Sequence, residues 1–189
     1  MKKPSLLCLV LALAACGGGA PLSPPIDHRT LASACAPTAL GGIACQTTPA
    51  DPSQECGTSA DCTAGTNGRC LVGRGPCYCA YDTCSTDADC GAGAVCECSG
   101  GTGHSASSNR CVAADCRTDS DCGASQFCAP ALDESCGSYV GVTAYRCTTP
   151  KDRCRLDADC RGASGTAYGY CNFSSELGYW ACSNTVCAG

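Results

Sequence analysis

The sequence predicts a small disulfide-rich fold: tandem cysteine-rich modules of short β-hairpins and loops, with little helix. Three observations predict it. Of 189 residues, 24 are cysteine, about 13% of the chain and above the roughly 8–10% that marks a disulfide scaffold. Large apolar side chains are scarce, with one Trp, one Met and two Phe, so covalent staples must restrict the unfolded ensemble where a continuous core cannot. The cysteines also recur at a fixed spacing among similar neighbours, the signature of a repeat array. Because disulfides persist in oxidising compartments, this usage predicts a location outside the cytoplasm.

The first element is an export signal. Lys2 and Lys3 precede a short apolar run, Leu6 to Leu13, which is too short to span a bilayer as a helix. Leu13-Ala14-Ala15-Cys16 resembles the lipobox of bacterial prolipoproteins. That resemblance implies a signal at residues 1–15, cleavage before Cys16, a diacylglycerol on its thiol and a fatty acyl group such as palmitate on its amino group. It also implies a lipid-anchored protein of the bacterial cell envelope. Gly17 in place of Asp after the cysteine resembles outer-membrane sorting. An ordinary signal cut after Ala14 satisfies the small-residue rule as well.

Residues 16–55 read as the lipidated cysteine and a flexible tether. Gly17-Gly18-Gly19 and the run to Ala34 are rich in Gly, Pro, Ala and Ser without a hydrophobic period. Cys35 and Cys45 follow, and their simplest fate is to pair with each other in a small loop.

The body holds four repeats, at 56–83, 84–115, 116–153 and 154–189, the last including a C-terminal cap. Their openings are Cys56-Gly-Thr-Ser-Ala-Asp-Cys62, Cys84-Ser-Thr-Asp-Ala-Asp-Cys90, Cys116-Arg-Thr-Asp-Ser-Asp-Cys122 and Cys154-Arg-Leu-Asp-Ala-Asp-Cys160. The first continues with Cys70, Cys77 and Cys79, the second with Cys96, Cys98 and Cys111, and the third with Cys128, Cys136 and Cys147. The fourth has Cys171 and Cys182, lacks the equivalent of the fourth cysteine, and is followed by Cys187. Gly-rich turns such as Gly91-Ala92-Gly93 separate short segments, which predicts hairpins.

These openings resemble the amino-terminal cysteine-rich module of the Dickkopf family, which begins with a similar Cys-x-x-Asp-x-Asp-Cys and a third cysteine soon after. The resemblance covers only the opening of each repeat and implies a cysteine framework. The animal family's receptor antagonism does not carry over to a chain with a bacterial export signal.

Parity constrains the bridges. Leaving out Cys8 in the signal and Cys16, the remaining 22 of the 24 cysteines are even in number and can all pair. A repeat with five cysteines cannot close on itself, so each must share a bridge with another segment. Which cysteine pairs with which is not readable from spacing.

Candidate sites are few. Asp61, Asp89, Asp121 and Asp159 recur, joined by Asp87, Asp119 and Asp157. Two nearby carboxylates fall short of the six to eight oxygens calcium takes, and recurrence at a fixed offset from a staple is what a turn requires. Cys77-Tyr78-Cys79 and Cys96-Glu97-Cys98 are spaced more tightly than zinc sites prefer, so disulfides are expected and no metal or cofactor is predicted. His28 and His104 have no evident nucleophile beside them, and no catalytic motif occurs, so no enzyme is predicted. Net charge is −5 without a basic patch, which disfavours nucleic acid. Tyr168, Tyr170, Phe173, Tyr179 and Trp180 cluster in the fourth repeat, either as a ligand platform at the membrane-distal tip or as a mini-core. The expected role is a non-catalytic structural or interaction stalk that binds an envelope or extracellular protein or a glycan. The alternative is a disulfide-rich protease inhibitor with Arg74 in its binding loop.

Overall fold

The computed structural model describes residues 25, 27–35, 54–72, 76–100, 107–135, 138–161 and 169–183. They form a disulfide-rich array of short hairpins. Each repeat opens with a loop carrying one tight turn: 3-10 turns at Ser59–Asp61, Asp87–Asp89 and Asp119–Asp121, and one helical turn at Asp157–Cys160. A hairpin follows each opening. The strands are β1 (Thr66–Val72) with β2 (Cys77–Asp82), β3 (Ala94–Glu97) with β4 (Arg110–Ala114), β5 (Cys128–Ser135) with β6 (Ser138–Cys147), and β7 (Tyr170–Ser174) with β8 (Tyr179–Ser183).

One disulfide pattern recurs in all four repeats. The first opening cysteine bonds to the first strand of the hairpin or the residue that begins it: Cys56–Cys70, Cys84–Cys96, Cys116–Cys128 and Cys154–Cys171. The second bonds to the second strand: Cys62–Cys79, Cys90–Cys111, Cys122–Cys147 and Cys160–Cys182. The two hairpin cysteines face each other across the ladder in every repeat, as Cys70 faces Cys79 and Cys171 faces Cys182. Each opening loop is therefore pinned at both ends against its own hairpin, which supplies order that so few large side chains could not. Every cysteine among the described residues is disulfide-bonded. Cys45, Cys136 and Cys187 lie outside those residues.

The carboxylate before the second cysteine forms the turn. Asp61, Asp89, Asp121 and Asp159 each direct Oδ2 at two backbone N–H groups, those of Gly57 and Thr58, Ser85 and Thr86, Arg117 and Thr118, and Arg155 and Leu156, at 2.7–3.0 Å. These paired backbone bonds hold the carboxyls of Asp61, Asp89 and Asp121 below the ordinary aspartate range. Close approach of hairpin to loop also fixes Gly68, where a Cβ would sit 1.9 Å from the Cys62 carbonyl oxygen.

Repeats 2 and 3 are fused. Their hairpins form one four-stranded sheet in the order β3-β4-β6-β5, with β4 and β6 parallel through Ala113–Ala144 and Ala114–Tyr145. Val95, Val112, Cys116, Cys128, Val142 and Tyr145 fill a shared core. Repeat 1 joins this unit through buried Asp82, which accepts from the Asn109 backbone at 2.8 Å and pairs with Arg69. Burial pushes the Asp82 carboxyl up, and the bonds from Asn109, Asn67 and Arg69 outweigh it, so its pKa is lowered. Repeat 4 docks through Asn172. Its side chain meets both backbone groups of Leu132, at the irregularity in the β5–β6 register.

The tether changes most from its sequence reading. Cys35 bonds to Cys98, 63 residues away, and not to Cys45. Asp27 to Cys35 is not a flexible linker but a strap laid across repeats 2 and 3. Its backbone donates from Arg29 to Cys128 O at 2.9 Å and from Cys35 to Ser85 O at 2.7 Å, and Ala34 bridges Thr86. A polar sequence docks here because specific partners and a staple replace a hydrophobic face. The fourth cysteine of repeat 2, Cys98, is thus the one that leaves its repeat, and it bonds to the strap. Cys77, the fourth of repeat 1, is also disulfide-bonded.

Candidate interaction site

A second recurring geometry is built on the first acidic residue of the opening. In repeats 2, 3 and 4 this is Asp87, Asp119 and Asp157. Each accepts the backbone N–H of its own third cysteine through Oδ1: Cys96, Cys128 and Cys171 at 2.8–2.9 Å. Repeat 1 has Ser59 there, whose hydroxyl takes the Cys70 N–H at 3.3 Å. One lobe of each carboxylate is thus consumed locally, and the other is left to meet a neighbouring segment.

The strap supplies that partner twice. Arg29 Nη2 lies 2.6 Å from Asp87 Oδ2, with both side chains buried. The Arg29 guanidinium also donates to Arg117 O at 2.8 Å and Cys96 O at 3.4 Å, and it stacks 4.8 Å from the centre of the Tyr145 ring. Burial raises the Tyr145 pKa, opposed by this guanidinium. The preceding residue, His28, places Nδ1 2.7 Å from Asp119 Oδ2 and meets the Phe127 ring edge-on at 5.0 Å. Consecutive strap residues therefore engage consecutive repeats.

The third carboxylate borders an open groove of about 380 Å³ between repeats 3 and 4. Pro25 and Asp27, at the start of the strap, line it together with Leu132, Tyr139, Asp157 and Trp180. Tyr139 donates its hydroxyl to Asp157 Oδ1 at 2.6 Å.

The aromatic residues singled out in repeat 4 divide. Trp180 is only 5% exposed and packs with Cys154, Cys160 and Cys171, while Phe173 meets it edge-on at 5.0 Å. These two form the mini-core, with Trp180 also lining the groove. Tyr170 meets Tyr139 edge-on at 5.2 Å, and Tyr179 lies 5.6 Å from the Arg153 guanidinium. Tyr168 lies outside the described residues, as do Cys16, Arg74 and His104. Tyr170, Phe173 and Tyr179 are each half-buried. Repeat 4 is also adjacent to the start of the strap, so chain connectivity does not make it the end farthest from residue 16.

The sulfurs crowd within each repeat, with those of Cys84, Cys90 and Cys96 within 4.8 Å of one another. They are bonded in disulfides, and an oxidised sulfur has no thiolate to offer a metal. Sequence reasoning missed Arg29 and the strap; the one available signal was an Arg beside a His in a stretch otherwise poor in charge. No protein family matches the chain, and no curated protein or solved structure matches it either.

Proposed function

We propose that this chain is a lipid-anchored protein of the bacterial cell envelope whose repeats act as a non-catalytic interaction stalk. The observation that supports it best is the strap. If Cys16 carries lipid, only residues 17–26 separate the anchor from the folded body, a reach of at most roughly 35 Å. The array is then held close to the bilayer, by its middle repeats and beside the groove, and not by repeat 1. Tension on the anchor would be borne by the buried Arg29–Asp87 pair and the Cys35–Cys98 bond. A disulfide-stapled array with fused neighbours is suited to bearing load and presenting a surface. The partner class in this reading is an envelope or extracellular protein or a glycan.

The test is mass spectrometry of the mature amino terminus with a Cys16→Ser comparison. The reading expects an acylated Cys16 and an uncleaved precursor in the variant. An unmodified terminus at Ala15 contradicts it.

A second reading, a protease inhibitor presenting Arg74, has one observation in its favour. Val72 and Cys77, which flank that loop, are paired across the β1–β2 ladder, and Cys77 is buried and disulfide-bonded. Inhibition of a trypsin-like protease that disappears in Arg74→Ala would establish it, and no inhibition would remove it.

A further inference from the structure

We propose that the groove between repeats 3 and 4 is a third socket for a basic side chain, and that it takes an Arg or Lys residue of an extended partner segment. Asp87, Asp119 and Asp157 occupy the same place in their repeats and make the same bond to their third cysteine. Asp87 is compensated by Arg29 and Asp119 is met by His28, each through Oδ2. Asp157 receives only the Cys171 N–H and the neutral Tyr139 hydroxyl, both at Oδ1. Among the described residues, no ion pair reaches Asp157 and no hydrogen bond reaches its Oδ2.

The surroundings share features with the filled sockets. Arg29 sits against the Tyr145 ring and beside the carbonyl of a third cysteine. In the groove, Tyr139 bonds to Asp157, and Leu132 and Trp180 line the same groove. Arg155 and Arg161 also border the groove. In repeat 3 the residue after the first cysteine is likewise an Arg, Arg117, and His28 still pairs with Asp119 there. An extended segment is expected because the strap enters its two sockets with main-chain bonds on either side, from Arg29 N to Cys128 O and from Asp119 N to Arg29 O.

This refines the interaction half of the function proposed above and stands or falls separately. A groove that ignores cations leaves an anchored stalk intact, and an unlipidated terminus leaves the groove intact.

Trp180, the only Trp in the chain, lines the groove and serves as the reporter. The experiment titrates the mature protein at low salt with a capped Asp-His-Arg-Thr peptide, copied from the strap, and follows tryptophan fluorescence. Two companion peptides replace Arg by citrulline, its neutral isostere, or by Glu. The expected result is a saturable change with the Arg peptide, binding weaker by about tenfold or more with citrulline, and none with Glu. Asp157→Asn, which keeps an oxygen for the Cys171 N–H, should weaken the Arg peptide comparably. Absence of a saturable change, citrulline binding as tightly as Arg, or undiminished binding in a folded Asp157→Asn protein would overturn the proposal. The citrulline comparison needs no variant, so it decides the matter even if Asp157→Asn does not fold.

Discussion

Arg29 and Asp87, 58 residues apart, form a buried ion pair with Nη2 and Oδ2 at 2.6 Å. The pair has its remaining bonds in place, since Asp87 Oδ1 takes the Cys96 N–H and the guanidinium donates to two carbonyls. It joins a segment that by composition belongs to a linker to a fused pair of repeats.

Removing one member strands the other charge. Breaking a buried pair this way typically costs about 3–5 kcal/mol. Arg29→Met is therefore expected to lower stability by that order in urea unfolding. Bonds near Arg29 should become cleavable by proteases, while Cys35–Cys98 still holds the cut segment to the body. Unchanged stability and unchanged resistance would mean that the strap is not held by this residue.

The double variant Cys35→Ser, Cys98→Ser tests the staple without creating a free thiol. It should lose on the order of 2–4 kcal/mol in thermal or denaturant unfolding, while the repeats keep their own bridges. A thiol assay that remains negative, with lower stability, fits the structure. New thiols would show that Cys35 and Cys98 are needed to form the other pairs.

Much of this fold was legible in the sequence, for identifiable reasons. Cys-x5-Cys with Asp before the second cysteine is a local device: the carboxylate closes a turn on backbone N–H groups three and four residues behind it, and so it leaves a fixed spacing. The strap was not legible. Gly17 to Ala34 has no hydrophobic period because Asp27–Cys35 docks through one Arg, one His, backbone bonds and a distant cysteine, and none of these leaves a pattern along the chain. Fusion of repeats 2 and 3 was hidden for a similar reason. Its parallel pairing is carried by two residue pairs, Ala113–Ala144 and Ala114–Tyr145, and its shared core by a few valines, cysteines and a Tyr, residue types that occur throughout the body. In repeat 4 the aromatic cluster was visible, but only packing shows that Trp180 turns inward.

Gly68→Ala should loosen repeat 1. The new Cβ would meet the Cys62 carbonyl oxygen at 1.9 Å, and backbone must move to relieve it. Overpacking of this kind costs typically 1–3 kcal/mol or more. Gly91→Ala, which meets nothing within 4 Å, is the control and should unfold like the parent. Equal stability of the two variants would contradict the close approach of hairpin and loop.

Acid should weaken the openings of repeats 1 to 3. Asp61, Asp89 and Asp121 have folded pKa values below the reference 3.8. A carboxyl lowered on folding contributes stability above its unfolded pKa, and that contribution is lost as pH falls through the folded value. NMR titration of the carboxyl carbons should give midpoints below 3.8 for these three. Midpoints at or above the reference would mean that the paired backbone bonds are absent.

The most direct test of the account is peptide mapping of the unreduced protein by mass spectrometry, under acidic conditions that prevent exchange. The structure predicts Cys35 joined to Cys98, together with one bridge from each opening cysteine to its own hairpin, as in Cys84–Cys96 and Cys90–Cys111. A peptide joining Cys35 to Cys45 would contradict it, returning the segment from Asp27 to Cys35 to a linker and removing the clamp on repeats 2 and 3.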